Sequence, residues 1–189
     1  MIAKALQITC NIFNQYLKNK FILNEDIVVI NRIVNSDGNN PIENSNKIVV
    51  SLIHVDQETN KQFYSNRKLQ TGSFSIKSNS ERYNLFILIT PNFENYEEGL
   101  KFLSATLQFF QNNNKIDANK SSLISKDIQQ LDFELEKGEN YMQMQNLWTA
   151  LGAKYQPSLI YKIRLIPIVS DEVEGFDTSI ERINTDATL

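Results

Sequence analysis

The sequence is poor in the residues that most often carry chemistry or cross-links. Its 189 residues include one cysteine, Cys10, and one histidine, His54. A single cysteine excludes an intrachain disulfide, which is typical of proteins that fold in a reducing cytoplasm. One histidine and one cysteine cannot form a zinc site unless carboxylates complete it. No serine or aspartate stands at a spacing from His54 that suggests a catalytic triad, so the sequence indicates neither an enzyme nor a metal site.

Signals for phosphate, nucleic acid and membrane binding are also missing. Glycine occurs six times, and neither G-x-x-x-x-G-K-[ST] nor G-x-G-x-x-G is present. The formal net charge is −3, and the basic residues are scattered, which disfavours nucleic acid as a partner. No apolar run approaches the roughly 18 residues of a membrane span, and no small-residue cleavage site follows the apolar start. We therefore expect no cofactor, no nucleic-acid partner and no direct membrane insertion.

Three segments have an apolar side that is typical of an amphipathic helix. The first helix is predicted over 2–18, with Cys10 on or near its apolar stripe as a small buried side chain. The second is predicted over 96–112. Its apolar stripe consists of Leu100, Leu103, Leu107 and Phe110, and this stripe is flanked by Phe102, Thr106 and Phe109. The third is predicted over 139–151, and Gly152 follows at the position where a left-handed residue closes a helix.

Continuous or alternating apolar runs predict strands at 27–34, 47–55 and 83–90, a further strand within 123–135, and a last strand at 159–168. The first run is β-branched and nearly continuous, so we expect it to be buried on both faces or nearly so. Pro91 is expected to end the third strand because proline supplies no ladder donor. The outer face of the fourth strand is acidic, with Asp132, Glu134 and Glu136, and a solvated strand face explains this period better than a divalent-cation site.

These elements predict an α/β (α+β) fold, in which a mixed, largely antiparallel sheet is packed by about three amphipathic helices. We expect a single core domain over 1–169. The segment 170–189 changes character and is predicted to be an acidic carboxyl-terminal arm outside the core. The polar segment 56–80 is predicted to extend a strand and then form a protruding hairpin or loop.

Three surfaces are predicted to contact protein partners. The first is the segment 56–80, where a protein contact is favoured over nucleic acid because the chain is acidic. The second is the charged face of the last core strand, and the third is the arm, which is hypothesised to add a strand to a neighbouring protein. Their named residues are Phe63, Tyr64 and Arg67 in the loop, Lys162 and Arg164 on the strand, and Val173, Phe176 and Ile180 in the arm.

One stretch near the end of the core resembles a known family. The residues concerned are Leu147, Trp148, Leu151, Gly152, Tyr155, Pro157, Ser158, Tyr161 and Arg164. This run is similar to the closing motif of a class of tail-terminator, or cap, proteins. These belong to phage-tail-like contractile injection systems of the virulence-cassette and antifeeding-prophage type. The amphipathic start and the strand-to-helix unit at 83–110 are similar in layout, so the resemblance covers about residues 2–168. The motif residues are interpreted as scaffold rather than as a site.

The resemblance implies a hexameric ring at the end of a contractile tail. Such a ring stops polymerisation of the inner tube and outer sheath and holds the last sheath ring. It also implies sheath and tube proteins as partners, assembly in the cytoplasm, and a particle that is released or membrane-anchored. Two alternatives remain open at this point. One is an enzymatic or small-ligand domain built around His54 or around Tyr155 and Tyr161, and the other is an adaptor or connector of another phage-like assembly.

Overall fold

The computed structural model describes residues 1–58, 67–70, 73–77, 81–117, 128, 130–136, 141–168 and 173–178. Its helices are α1 (Ile2–Phe21), α2 (Tyr96–Asn112) and α3 (Tyr141–Leu151), with a single 3-10 turn at Ile42–Asn44. Its strands are β1 (Val28–Ile30), β2 (Lys47–Gln57), β3 (Arg67–Gln70), β4 (Ser73–Lys77), β5 (Glu81–Asn92), β6 (Lys115–Asp117), β7 (Gln130–Leu135), β8 (Leu159–Ile168) and β9 (Val173–Thr178).

Two sheets are formed in the described part of the chain. One has six strands in the order β1-β2-β5-β8-β7-β6, and the other has three strands in the order β3-β4-β9. The β1–β2 pair is parallel, and every other pair is antiparallel. The predicted fold class, a mixed and largely antiparallel sheet with three helices, is therefore confirmed.

The main core lies between one face of the six-stranded sheet and helices α1 and α2. Aromatic rings connect the three layers. Phe13 of α1 stacks on Phe109 of α2 with ring centroids 4.6 Å apart. Phe110 of α2 stacks on Tyr161 of β8 at 4.2 Å and contacts Phe133 of β7 at 5.1 Å. Stacked and tilted ring pairs of this kind stabilise a core beyond the area they bury.

Helix α2 buries a different face from the one its leucines predict. Leu100 and Leu107 are 39% and 36% exposed, so the predicted stripe is wrong at these two leucines, whereas Phe110 of the same stripe is buried. The buried side consists of Gly99, Phe102, Ala105, Thr106, Phe109 and Phe110. Both stripes have helical spacing, so periodicity alone could not choose between them. The wide aromatic side chains decide it, because they fill the space between α2, α1 and β8.

Strand β1 is shorter than predicted and lies at an edge of the sheet, so the expectation of a long strand buried on both faces is wrong. Pairing with β2 ends at Ile30, which is 42% exposed. A side chain of α1 occupies the outer edge of β1. The Asn14 carbonyl oxygen accepts hydrogen bonds from the N–H groups of Ile27 at 3.0 Å and Val28 at 2.8 Å. Its amide donates to the Val28 carbonyl at 3.0 Å, so Asn14 replaces a missing neighbouring strand.

Pro91 lies within β5 and does not end it, contrary to the sequence-based expectation. The N–H of Ile48, which is opposite Pro91, donates to Ile27 at 2.7 Å on the β1 side. Ile48 and Pro91 therefore form a non-hydrogen-bonded pair, and the proline nitrogen faces away from β2. Strand β8 does not reach that position, since its pairing with β5 stops at Leu159 opposite Ile89. No ladder bond is lost by placing proline there.

The second face of the six-stranded sheet is also partly buried. Val49, Leu88 and Thr90 are buried but lie outside the main core cluster. The segment that follows β1 is fixed over this region by asparagine side chains. Asn44 donates to the Arg32 carbonyl at 2.9 Å and accepts from Asn31 at 2.8 Å, while Asn92 donates to the Asn44 carbonyl at 2.8 Å. These asparagines therefore have a structural role.

Candidate interaction surfaces

The carboxyl end of α3 closes as the sequence predicts. Gly152 has φ 68°, a left-handed conformation that costs glycine little. Its N–H donates to the Thr149 carbonyl at 3.0 Å, and the Ala153 N–H donates to the Trp148 carbonyl at 3.2 Å. These two bonds form a Schellman motif. The motif stops the helix and sends the chain towards β8.

Trp148 is the buried anchor of this region. Its side chain is 2% exposed, and its ring meets the exposed Tyr155 ring edge-on with centroids 5.9 Å apart. Leu147, Leu151, Pro157 and Ser158 are half-buried. The linker is tied to β5 because Gln156 donates to the Asn92 side-chain carbonyl at 3.2 Å. The sequence motif thus sets how the chain enters β8.

Strand β8 separates an apolar face from a charged one. Tyr161 and Ile163 are buried in the main core, whereas Lys162 is half-buried and Arg164 is exposed. Burial raises the pKa of Tyr161 to about 12, so this phenol stays neutral near neutral pH. Tyr161 and Tyr155 lie in different surroundings, one against Phe110 in the core and the other against Trp148. The structure does not bring them together as the walls of a pocket.

The basic residues of β8 face the acidic residues of β7. Lys162 lies 3.5 Å from a Glu134 carboxylate oxygen and 3.9 Å from one of Glu136. Arg164 lies 3.4 Å from the same Glu134 oxygen, and the Lys162 ammonium is 5.7 Å from the centre of the Phe86 ring. Two faces that the sequence shows separately therefore form one mixed-charge surface. The pairing was missed because β7 and β8 are joined through α3, and their register cannot be inferred from local spacing.

The remaining chemically capable residues do not converge. His54 is exposed and contacts the Phe86 ring at 5.6 Å. Cys10 is buried, and burial raises the pKa of its thiol to about 12. Within the described ranges, no group of three or more histidine, cysteine, aspartate or glutamate side chains is arranged to hold a metal ion. The enzymatic alternative therefore has no supporting geometry among these residues.

One small cavity lies under the segment that follows β1. It has a volume of about 10 Å³ and is lined by Ile33, Asn40, Asn44, Val49, Thr90, Asn92 and Gln156. The Thr90 hydroxyl is buried without a hydrogen-bond partner in the protein. Such a volume holds about one water molecule and is far below the roughly 300 Å³ of small ligand pockets. The cavity is therefore large enough for a water molecule and too small for a substrate.

The two polar segments that were predicted as separate contact surfaces meet in one sheet. Arg67 lies in β3 opposite Ile76 of β4, and Phe176 lies in β9 opposite Ser75 on the other side of β4. Val173 also lies in β9. The segment predicted as an acidic arm outside the core therefore contains a strand that pairs within this chain. Phe63, Tyr64 and Ile180, also predicted as contacts, lie outside the described residues.

The fold and these surfaces define a class of protein. The described residues form an α+β domain with a filled core and a mixed-charge face on β7 and β8, and the candidate catalytic residues among them do not converge. No helix in that part of the chain is both long enough and apolar enough to cross a membrane.

Residues 8–182 match the family described as the Pvc16 N-terminal domain, and the chain belongs to that family. The resemblance to tail-terminator proteins seen in the sequence is thereby confirmed. The chain shows no significant sequence match to a curated protein.

The fold is shared with solved structures, among them two terminator proteins. One is the PVC sheath/tube terminator of an extracellular contractile injection system in its extended state, with a TM-score of 0.62 and 14% identity. The other is the tube-terminating cap of the anti-feeding prophage, with a TM-score of 0.60 and 19% identity. Each alignment covers 93% of this chain, but only 62% and 58% of the respective matched chains. The chain therefore spans about three fifths of these proteins.

Proposed function

We propose that this protein caps the tail of a contractile injection system. In this role it forms a hexameric ring that ends polymerisation of the inner tube and sheath and holds the last sheath ring. The observation that carries the proposal is the match of nearly the whole fold to two solved terminators. Family membership over residues 8–182 supports it independently of the coordinates.

The physical character of the chain supports a structural role rather than catalysis. A closed ring uses up the contacts between its own subunits, and it ends a growing polymer when one of its faces matches the polymer end and the other face does not. A ring subunit needs surfaces rather than a pocket. The described residues supply strand edges and a mixed-charge face, and the small cavity beneath the segment that follows β1 has room for about one water.

The proposed partners are the sheath and inner-tube proteins of the same particle. We place the protein in the cytoplasm during assembly and afterwards in a particle that is released or anchored. The charged face that contains Lys162 and Arg164 is suited to contact such partners. Its ion pairs are exposed enough to exchange with charges on another protein at small cost.

The test is the length distribution of assembled particles. Deleting the gene from a cluster that produces particles, and examining those particles by electron microscopy, is expected to give tubes of uncontrolled length and sheaths that detach at the free end. Complementation with the intact chain is expected to restore a single length. Particles of unchanged length and attachment after deletion would show that the protein is not the cap.

A further inference from the structure

The three-stranded sheet has two edge strands of opposite charge. Strand β3 carries Arg67 and Lys68 and no acidic residue. Strand β9 carries Glu174 and Asp177 and no basic residue. Both strands pair with β4 on their inner side only, since the sheet order is β3-β4-β9. Each therefore has an outer row of backbone N–H and carbonyl groups with which no other described strand pairs.

Charges on an edge strand usually prevent association, because the edge of one molecule meets the like-charged edge of another. The arrangement here has a different consequence. The β3 edge repels a second β3 edge, and the β9 edge repels a second β9 edge. A β3 edge and a β9 edge attract each other. Opposite charges across neighbouring strands stabilise pairing, whereas like charges oppose it.

We propose that β3 of one copy of this chain pairs with β9 of the next copy, so that the three-stranded sheets join head to tail. Such a contact uses two different surfaces of the subunit, and repeated contacts of this type close into a ring when the rotation permits. The inference rests on the proposed ring and identifies the contact that closes it. It also explains why two segments about a hundred residues apart in sequence carry opposite charge at the two edges of one small sheet.

The first experiment reverses the charge of each edge separately. The variant Arg67→Glu/Lys68→Glu has two acidic edges, and the variant Glu174→Lys/Asp177→Lys has two basic edges. Each variant alone is expected to remain monomeric by native mass spectrometry in low salt, where the unmodified chain forms a ring. An equimolar mixture is expected to restore the ring, because acidic-edged and basic-edged copies can alternate around an even-numbered ring.

The matched control is Lys101→Glu/Lys154→Glu, which makes the same charge change as the acidic-edged variant at exposed positions outside the three-stranded sheet. It is expected to assemble like the unmodified chain. Single-edge variants that still form rings, a mixture that stays monomeric, or an unmodified chain that is monomeric at every concentration would each overturn the edge pairing. Circular dichroism verifies that both variants keep the unmodified fold.

A cross-linking experiment keeps the proposal testable if a reversed variant does not fold. Strands β3 and β9 are two strand spacings apart within one sheet, about 9–10 Å, which exceeds the roughly 7 Å limit between Cα atoms for a disulfide. In a chain that carries both Lys68→Cys and Glu174→Cys, the two new cysteines are too far apart to bond to each other. A disulfide between these two positions must therefore join two copies of the chain. Mild oxidation is expected to give a ladder of covalent oligomers, whereas an absence of oligomers at any oxidant level would count against the pairing.

Particle length separates this proposal from the proposed function. If the edge variants restore a single particle length in a deletion strain as well as the unmodified chain does, the cap function stands and the edge pairing is wrong. If deletion itself leaves length unchanged, the cap function is wrong whatever the edges do. If removal of residues 170–189 abolishes sheath attachment but leaves the ring intact, β9 serves the sheath and the edge pairing is likewise wrong.

Discussion

Replacing Asn14 with alanine should destabilise the fold far more than its position on a helix suggests. The side chain makes three hydrogen bonds to the backbone of Ile27 and Val28, and it is buried. The substitution leaves two N–H groups and one carbonyl unpaired. An unpaired buried polar group costs about 1–3 kcal/mol. Water at the sheet edge recovers part of this cost, and alanine gains about 0.5 kcal/mol in helix propensity. The net loss is about 3 kcal/mol, a large fraction of the roughly 5–15 kcal/mol that stabilises a typical domain.

Urea unfolding followed by circular dichroism measures this loss directly. The expected result is a lower midpoint with an unchanged slope, since the surface exposed on unfolding stays the same. Asn11→Ala is the matched control, because Asn11 is exposed on the same helix, and it should change stability by less than about 0.5 kcal/mol.

Two further measurements test the role of Asn14. Asn14→Asp keeps acceptors for both N–H groups but loses the donor to the Val28 carbonyl, so an intermediate loss is expected. Amide exchange at Ile27 and Val28 should accelerate in Asn14→Ala. If Asn14→Ala unfolds at the same urea concentration as Asn11→Ala, the edge of β1 does not depend on this side chain.

Three other predictions concern the caps and the core. Ile22 is 88% exposed and ends α1 in a left-handed conformation with φ 54°. Ile22→Gly should therefore raise the free energy of unfolding by about 1 kcal/mol, and an unchanged or lower melting temperature would contradict this prediction. Trp148→Ala should cost about 3–5 kcal/mol and Trp148→Phe clearly less, as measured by thermal melts; equal losses would show that ring volume is not what matters. Cys10 should react with an alkylating agent at pH 8 only after unfolding. Burial raises the pKa of the Cys10 thiol from 9.0 to about 12, so its contribution to stability is fully present below pH 9 and is lost as the pH rises towards 12. Cys10→Ala should remove that part of the loss of stability at alkaline pH. Rapid labelling of the native protein would argue against burial of Cys10.

Features that depend on neighbouring residues in sequence could be predicted well. Gly152 closes α3 because a helix end needs a left-handed residue at that position, whatever surrounds it. The division of β8 into a buried face with Tyr161 and a charged face with Lys162 follows from the two-residue period of any strand. The motif around Trp148 pointed to the family because its order and spacing are local properties as well.

Features that depend on distant residues could not be predicted in this way. The leucine and aromatic stripes of α2 have the same helical spacing, and only the shape of the space next to Phe13 and Tyr161 selects the aromatic one. The run at 27–34 has strand propensity throughout, yet it pairs for only three residues. Its outer edge is held by Asn14, whose partners are more than ten residues away in sequence.

The candidate surfaces show the same division. The sequence alone determined which segments are polar and charged, namely the loop at 56–80, the face at Lys162 and the tail beyond residue 170. Only the tertiary structure decided that Lys162 is paired with Glu134 and that β3 and β9 lie at opposite edges of one sheet. The physical reason is that side-chain periodicity and capping are short-range constraints, whereas strand order and register result from packing between segments that are far apart along the chain.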